Sequence, residues 1–281
     1  MKTFYMVVLR RFILLALLSL VAEDSFSQDF SLPEIIEKSK KSIVPIIGAD
    51  NKCSNRFRHI GTGVLIGDRK LDKEFILTCE HVVSIKDSIT GKSNRTISNL
   101  FANFNLQNDS IITIPLKLVY SDESNDFALL EYSFSTMAVP KDSLHRIKLL
   151  IFPFDNFDNT DDLKEGEPLL YTGYPMSLGV GLKNFPISRR GIVAQNIKDS
   201  SIFLMDGFVQ GGNSGSPVFR IKQGVYKLSG IAQAYPNEIA EIRFKELKEE
   251  DRIALVNPGF TIVRKINVIS EVLIKEFGFS R

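Results

Sequence analysis

Short runs rich in β-branched and aromatic residues recur along the chain between turn residues, and this pattern predicts strands. In the first half of the chain the runs cover residues 42–47, 61–66, 74–78, 111–120 and 127–132. In the second half they cover residues 168–172, 190–195, 202–205, 217–221 and 228–232. Many short strands with little helix between them predict an all-β protein made of two small antiparallel barrels.

Helices are predicted at the two ends of this strand-rich region. Residues 32–41 follow Ser31, carry Pro33 in the first turn and place Glu34 three residues after the cap, which is typical of a helix start. Apolar residues recur at helical spacing across residues 267–277. We therefore expect a short helix before the first strand and an amphipathic helix at the end of the chain.

An Asp- and Asn-rich stretch at residues 153–166 separates two halves of the chain. It holds few apolar residues, and we interpret it as an exposed linker between an N-terminal half, residues 28–152, and a C-terminal half, residues 167–281. Its acidic run lacks the glycine and the glutamate of a calcium-binding loop, so a linker is favoured over a calcium site. Residues 236–251 are charged and helix-prone, and there we favour a solvated loop over a lid.

The first 27 residues have the pattern of an export signal. Basic residues precede an apolar run at residues 12–22, and small residues flank Phe26. The apolar run is shorter than the about 20 residues that a membrane-spanning helix needs. We expect cleavage before Gln28 and a periplasmic or extracellular protein. An uncleaved N-terminal anchor is the alternative.

Composition narrows the classes of function. The chain has 281 residues, of which 44% are apolar and 24% charged, as in folded globular proteins. Its 35 Lys and Arg residues against 33 Asp and Glu residues give a formal charge of +2 without a clustered basic excess, which argues against a nucleic-acid partner. Export would bring Cys53 and Cys79 into an oxidising compartment, where a disulfide and two buried free thiols both stay open.

Three short motifs carry the candidate chemistry. Residues 211–217 read Gly-Gly-Asn-Ser-Gly-Ser-Pro, and glycines around Ser214 allow the tight turn that a serine nucleophile and its oxyanion require. His81 follows a predicted strand, where its imidazole can act as a general base. Asp126 directly precedes another strand, where its carboxylate can orient the imidazole through the other ring nitrogen.

The order of the three motifs along the chain strengthens this interpretation. His81 and Asp126 lie before the linker and Ser214 lies after it. Each motif alone also fits an ordinary turn or a satisfied polar residue. Their conjunction in the order His, Asp, Ser predicts a catalytic triad. The other histidines, His59 and His145, have no such context, and we interpret both as surface or structural residues.

Across about residues 40–277 the chain resembles the chymotrypsin-like, trypsin-fold serine proteases. Residues 172–175 and 211–219 are similar to the glutamyl endopeptidase and exfoliative toxin branch, and residues 61–64 to HtrA-type proteases. The resemblance implies two six-stranded antiparallel barrels with the active site between them. It implies Ser214 as nucleophile, His81 as general base and Asp126 as the orienting carboxylate, with an oxyanion hole formed by the N–H groups of Gly212 and Ser214. It also implies protein or peptide substrates and no metal or organic cofactor.

Departures from these families change the expected specificity pocket. Ala232 stands where glutamyl endopeptidases carry a His, and Phe208 stands where trypsins carry an Asp. A buried charge on the substrate would therefore lack a partner. We predict an apolar S1 pocket and a preference for a small to medium apolar P1 residue. The residues expected to line the pocket are Phe208, Val209, Ala232, Tyr235 and Gly259.

Two other classes of function remain as alternatives to a serine endopeptidase. A latent or catalytically silent trypsin-fold module would keep the fold and bind without catalysis, but the intact triad favours the enzyme. An esterase is disfavoured, because residues 212–216 do not match Gly-x-Ser-x-Gly and the serine comes last in the chain. The second barrel and its helix use residues 215–281, so we expect no PDZ domain of the HtrA type.

Overall fold

The computed structural model describes residues 31–50, 53–68, 70–86, 93–97, 99–107, 110–133, 150–181, 183–222, 224–234, 238–241, 253–256 and 258–280. The predicted export signal, residues 1–27, lies outside these residues, as do His145 and Tyr235 and the side chain of Cys53. Among the helices in the described ranges, none has the length and apolar character to cross a membrane.

The first half of the chain forms a closed barrel of six antiparallel strands. Helix α1 (Leu32–Lys40) begins at Ser31, where Ser31 and Glu34 form the capping box that the sequence predicts. The described strands of this half are β1 (Ile43–Asp50), β2 (Cys53–Asp68), β3 (Lys73–Thr78), β4 (Ser84–Lys86), β5 (Ser93–Thr96), β6 (Leu100–Asn105), β7 (Ile111–Asp122), β8 (Phe127–Tyr132) and β9 (Phe152–Pro153). Strands β4 and β5 pair with each other outside the barrel. A four-residue helix, α2 (Glu80–Val83), separates β3 from β4. The barrel order is β1-β6-β7-β8-β3-β2, closed by β1 against β2, and β9 adds in parallel to β2.

The second half forms another closed six-stranded barrel and ends in helix α3 (Ile266–Phe277). Its strands are β10 (Pro168–Gly173), β11 (Ile187–Gln195), β12 (Ile202–Asp206), β13 (Pro217–Lys222), β14 (Val225–Ala234) and β17 (Phe260–Lys265). A separate hairpin pairs β15 (Glu238–Glu241) with β16 (Ile253–Val256). The prediction of an all-β double barrel with a C-terminal helix is confirmed. The helix-prone interpretation of residues 236–251 is wrong at residues 238–241, which form a strand because they pair with β16.

Helix α3 packs its apolar face into a cluster that contains residues of both barrels. Ile269 and Leu273 are fully buried in the same apolar cluster as the first barrel's Phe75. The rings of Phe75 and Phe277 meet edge to face at 4.8 Å, and Lys73 Nζ donates to the Phe277 carbonyl at 2.7 Å. The C-terminal helix therefore holds the two barrels together by burying apolar surface.

The stretch at residues 153–166 is not the exposed linker that its composition suggests. Phe154, Phe157 and Leu163 are buried, and the rings of Phe154 and Phe157 lie 4.9 Å apart. Asp158 is also buried, and it pairs with Arg220 of β13 at 2.5 Å while Ser229 Oγ donates to it at 2.7 Å. Three apolar side chains and one buried ion pair anchor this segment, so its Asp and Asn content is misleading.

Breaking this ion pair is expected to destabilise the protein strongly. We expect Asp158→Ala to lower the free energy of unfolding by about 3 kcal/mol, because it removes the closer carboxylate beside the buried Arg220 and leaves the longer pair with Glu167 at 3.3 Å. The matched control is Lys117→Ala, which breaks the exposed pair with Glu131 and should cost less than about 1 kcal/mol. Urea unfolding of both variants makes the comparison. Equal losses in the two variants would contradict the structural role of Asp158.

Candidate active site

The structure brings His81 and Asp126 together as the sequence predicts. His81 lies in α2 just after β3, and Asp126 ends the turn before β8. Nδ1 of His81 lies 2.9 Å from both carboxylate oxygens of Asp126, and the His81 backbone N–H donates to Oδ1 at 3.0 Å. An ionised carboxylate only accepts, so Nδ1 carries the proton and Nε2 of the neutral imidazole keeps its lone pair.

The turn that presents Asp126 is built by local hydrogen bonds. Asp122 Oδ1 accepts from the Asn125 backbone N–H at 2.9 Å and from Ser124 Oγ at 2.7 Å. Asp126 itself adopts a left-handed backbone with φ of 51°, a conformation that Asp and Asn tolerate better than most residues. The Asn-Asp pair therefore suits a turn that delivers a carboxylate to the start of a buried strand.

Gln233, a residue that the sequence reasoning missed, contacts Asp126 from the second barrel. Its Nε2 lies 3.1 Å from Asp126 Oδ2, 3.1 Å from the Asp126 carbonyl and 2.9 Å from the Asn125 carbonyl. Gln233 is buried, and it follows Ala232 in β14. A buried amide in an otherwise apolar stretch of strand was the available signal for this contact, since such groups need hydrogen-bond partners.

Hydrogen bonds between the barrels hold the backbone of the Ser214 segment against Thr62 of the first barrel. The Ser214 carbonyl accepts from Thr62 N at 2.8 Å, and Thr62 Oγ1 donates to the Gly212 carbonyl at 2.7 Å. Ser214 Oγ donates to the Gln233 carbonyl at 3.2 Å. Within the described ranges, no hydrogen bond joins this hydroxyl to the His81 ring. Gln233 thus links Ser214 and Asp126, through its carbonyl on one side and its amide on the other.

The backbone around Gly212 leaves two N–H groups available for a ligand. Gly212 has a left-handed φ of 93°, and a Cβ there would lie 2.5 Å from the Tyr174 carbonyl oxygen. The intervening Asn213 N–H turns away to donate to the Gln210 carbonyl at 3.0 Å. In the part of the chain that the structure describes, the N–H groups of Gly212 and Ser214 donate to no protein acceptor. Paired N–H groups of this kind can stabilise a developing oxyanion.

The residues expected to line the S1 pocket differ in how deeply they are buried and in what they contact. Val209 and Ala232 lie in one buried apolar cluster of the second barrel. Gly259 has a φ of 95°, and its carbonyl accepts from Gly207 N at 2.9 Å, beside Phe208. The Phe208 ring is 40% exposed and lies 5.7 Å from the Arg189 guanidinium. Tyr235 lies outside the described residues, so the apolar pocket as a whole stays a prediction.

Cys79 is a free buried thiol next to the histidine and the carboxylate. Its Sγ donates to the Ala232 carbonyl at 3.3 Å, which leaves the disulfide with Cys53 unformed. Ligand atoms of Cys79, His81 and Asp126 all lie within 4.8 Å of one another, the spacing of a metal site. Burial raises the pKa of the Cys79 thiol well above its ordinary value. A cysteine must be deprotonated to bind a metal ion, so the raised pKa of Cys79 disfavours metal binding by this cluster.

His59 lies against the nucleophile segment, a place that the sequence does not reveal. Its Nδ1 is 3.2 Å from Ser177 Oγ, and its ring meets Tyr174 edge to face at 5.8 Å. A Cβ on Gly212 would lie 2.9 Å from its Cε1. Burial lowers the pKa of His59 to about 4, so the ring is neutral near pH 7.

His59 is expected to make the protein less stable in mild acid. Between pH 6.5 and about 4 the unfolded chain protonates this histidine while the folded chain does not. The free energy of unfolding should therefore fall as the pH falls through this window, by up to about 3 kcal/mol. Urea unfolding at several pH values, on the parent and on His59→Gln, isolates the effect. Parallel pH curves for the two proteins would contradict it.

Comparisons with known proteins identify the family and the fold of this chain. A family model described as the trypsin-like peptidase domain matches residues 61–226, which include His81, Asp126 and Ser214. A solved structure with a similar fold is the serine endoprotease from Yersinia pestis, with a TM-score of 0.53 and 17% identity. The alignment covers 87% of this chain and 66% of that one, so this chain spans just under two thirds of that protease. No curated protein matches the sequence. Because the family model covers more than half of its residues, this chain belongs to the trypsin-like peptidase family.

Proposed function

We propose that this protein is an exported serine endopeptidase that works through a triad of Ser214, His81 and Asp126 and an acyl-enzyme. The observation that carries the proposal is the Asp126–His81 pair, with 2.9 Å between Nδ1 and the carboxylate and with Gln233 joining the pair to Ser214. Family membership supports the same class of chemistry. Within the family, we propose that the protein is nearest to the glutamyl endopeptidase and exfoliative toxin branch and shares features with the HtrA-type proteases.

The reaction is acyl transfer to water. His81 Nε2 takes the Ser214 proton as Oγ attacks the peptide carbonyl, and the N–H groups of Gly212 and Ser214 hold the oxyanion. His81 then gives its proton to the leaving amine, and water hydrolyses the acyl-enzyme by the same route. Asp126 keeps the imidazole in its reactive tautomer throughout. Attack requires Ser214 Oγ to turn from the Gln233 carbonyl towards Nε2, a side-chain rotation about χ1.

The expected substrates are protein segments with a small to medium apolar P1 residue. Val209 and Ala232 offer buried apolar surface beside the nucleophile segment, since the Gly215 N–H donates to the Ala232 carbonyl at 2.8 Å. Neither side chain supplies a charge or a hydrogen bond for a glutamate, lysine or arginine at P1. Burial of a lysine or arginine ion without a partner would cost several kcal/mol, which disfavours these two residues.

We further propose export through residues 1–27, with a mature N-terminus at Gln28 and a periplasmic or extracellular location. Expression in a secreting host followed by N-terminal sequencing tests this part of the proposal. A mature protein that starts at Gln28 supports it. A protein that keeps residues 1–27 and sediments with membranes would instead support the uncleaved anchor.

Cleavage of an unfolded protein by the exported enzyme tests the catalytic proposal. The cut sites, read by mass spectrometry, should carry apolar P1 residues, whereas a profile led by Glu, Lys or Arg would reject the apolar S1 pocket. Absence of any cleavage would favour a latent or silent trypsin-fold module. The hydrogen bond of Ser214 Oγ to the Gln233 carbonyl, in place of His81, is the observation that favours that second candidate.

A further inference from the structure

We propose that Arg264 is a positioning residue that holds the turn bearing Asp126 against the second barrel. Arg264 lies in β17, whereas the turn belongs to the first barrel. The inference rests on the proposed function, because its consequence is a change in the rate of the Ser214 reaction. Arg264 makes its described hydrogen bonds to Asn125 and Ser201 and not to His81, so we assign it a positioning role and no chemical one.

Arg264 connects to the turn through Asn125. Its NH1 donates to Asn125 Oδ1 at 3.1 Å, and the same nitrogen also contacts Oγ of Ser201, the residue before β12. The residue is 6% exposed, and both contacts are made by NH1, whereas its Nε is buried without a hydrogen-bond partner among the described residues. Burying a guanidinium is costly when its hydrogen bonds are lost. Breaking the contact with Asn125 would therefore be unfavourable, and we infer that it holds Asn125 in place.

Asn125 connects the contact with Arg264 to the turn that carries the Asp126 carboxylate. Its backbone N–H donates to Asp122 Oδ1 and its side-chain Nδ2 to Asp122 Oδ2, both at 2.9 Å. With Oδ1 held by Arg264, both ends of the Asn125 side-chain amide are fixed. The next residue is Asp126 with its left-handed backbone, so a shift of Asn125 would move the carboxylate away from His81 Nδ1.

The tether matters because the triad is divided between the barrels. Asp126 and His81 stand on the first barrel, and Ser214 stands on the second. Gln233 supplies one contact from the second barrel to Asp126, and Arg264 supplies another at the neighbouring residue. Together they define the position of the acid relative to the nucleophile. A displacement of about 1 Å in such a constellation can reduce the rate about 100-fold.

The charge of Arg264 also fits this position. Burial lowers the pKa of Arg264, and the negative charges of Asp126 and Asp122 oppose that shift. A cation is therefore kept close to the two carboxylates of the turn. It offsets the concentration of negative charge at the point where the first barrel meets the second.

The test compares Arg264→Met with Arg190→Met in the exported protein, where Arg190 is an exposed arginine of β11. With a peptide substrate, Arg264→Met should lower kcat about 10- to 100-fold and leave KM within about twofold. Arg264→Gln, which keeps a donor for Asn125, should recover part of the loss. Arg190→Met should behave as the parent.

A double-mutant cycle with Asn125→Ala distinguishes a tether from general damage to the fold. If Arg264 acts through Asn125, either single variant lowers kcat and the double variant loses little more than the worse single one. Additive losses, or a parent-like kcat in Arg264→Met, would overturn the inference. If Arg264→Met does not fold, Asn125→Ala and Arg264→Gln carry the same comparison. An inactive parent would reject the proposed function instead, so the two failures are separable.

Discussion

Replacing Ser214 with alanine is expected to lower kcat for peptide hydrolysis about a millionfold, as loss of a serine nucleophile does in other triads. The substitution removes the atom that forms the acyl-enzyme and leaves the backbone N–H groups in place. It also deletes the hydrogen bond of Oγ to the Gln233 carbonyl at 3.2 Å. That loss should change the free energy of unfolding by only about 1 kcal/mol.

Ser216→Ala is the matched control for this prediction. Ser216 is fully buried two residues further along, and its Oγ has no hydrogen-bond partner among the described residues. Removing an unpaired buried hydroxyl should keep activity within about twofold and leave stability unchanged or raised. Progress curves with a protein substrate, together with thermal unfolding, compare the two variants. Substantial hydrolysis by folded Ser214→Ala would exclude Ser214 as the nucleophile.

Gly212→Ala is expected to have the second largest effect, with a fall in kcat of about 100- to 1,000-fold. Alanine disfavours the left-handed backbone of Gly212 by about 1–2 kcal/mol. Its Cβ would lie 2.5 Å from the Tyr174 carbonyl oxygen and 2.9 Å from His59 Cε1. The backbone must move to relieve these contacts, and the N–H groups offered to the oxyanion move with it.

The neighbouring glycine provides an internal control. A Cβ on Gly211 would meet no described atom within 4 Å, so Gly211→Ala should retain activity within a few-fold. Steady-state kinetics measure kcat for both alanine variants, and circular dichroism verifies that each is folded. Equal activity in the two would mean that the backbone at Gly212 has no part in the reaction.

The fold and the three triad candidates could be predicted from the sequence because their signals are local. Ser214 lies among glycines, His81 follows a strand-like run and Asp126 precedes one, so each motif is visible within a few residues. Alternation of apolar residues likewise reveals most barrel strands. Strand β6 was missed because two asparagines interrupt its apolar pattern, although Leu100, Ala102 and Phe104 alternate inwards.

The remaining parts of the site depend on contacts between distant residues. Gln233 meets Asp126 only because the two barrels pack together, and Arg264 meets Asn125 across 139 positions of sequence. The segment at residues 153–166 was misread for the same reason, since the partner of Asp158 is Arg220 in β13. A polar residue can be exposed to solvent in one fold and buried in a hydrogen bond or ion pair in another. Composition alone does not distinguish these two cases.

Active-site labelling of the exported protein tests the central claim most directly. A fluorophosphonate reacts with a serine that an adjacent base activates, and it needs no knowledge of the natural substrate. We predict one covalent adduct per chain, located by mass spectrometry on Ser214, and no adduct on His81→Ala or Asp126→Ala at the same exposure. A parent protein that stays unlabelled while folded, or an adduct on another serine, would contradict the account.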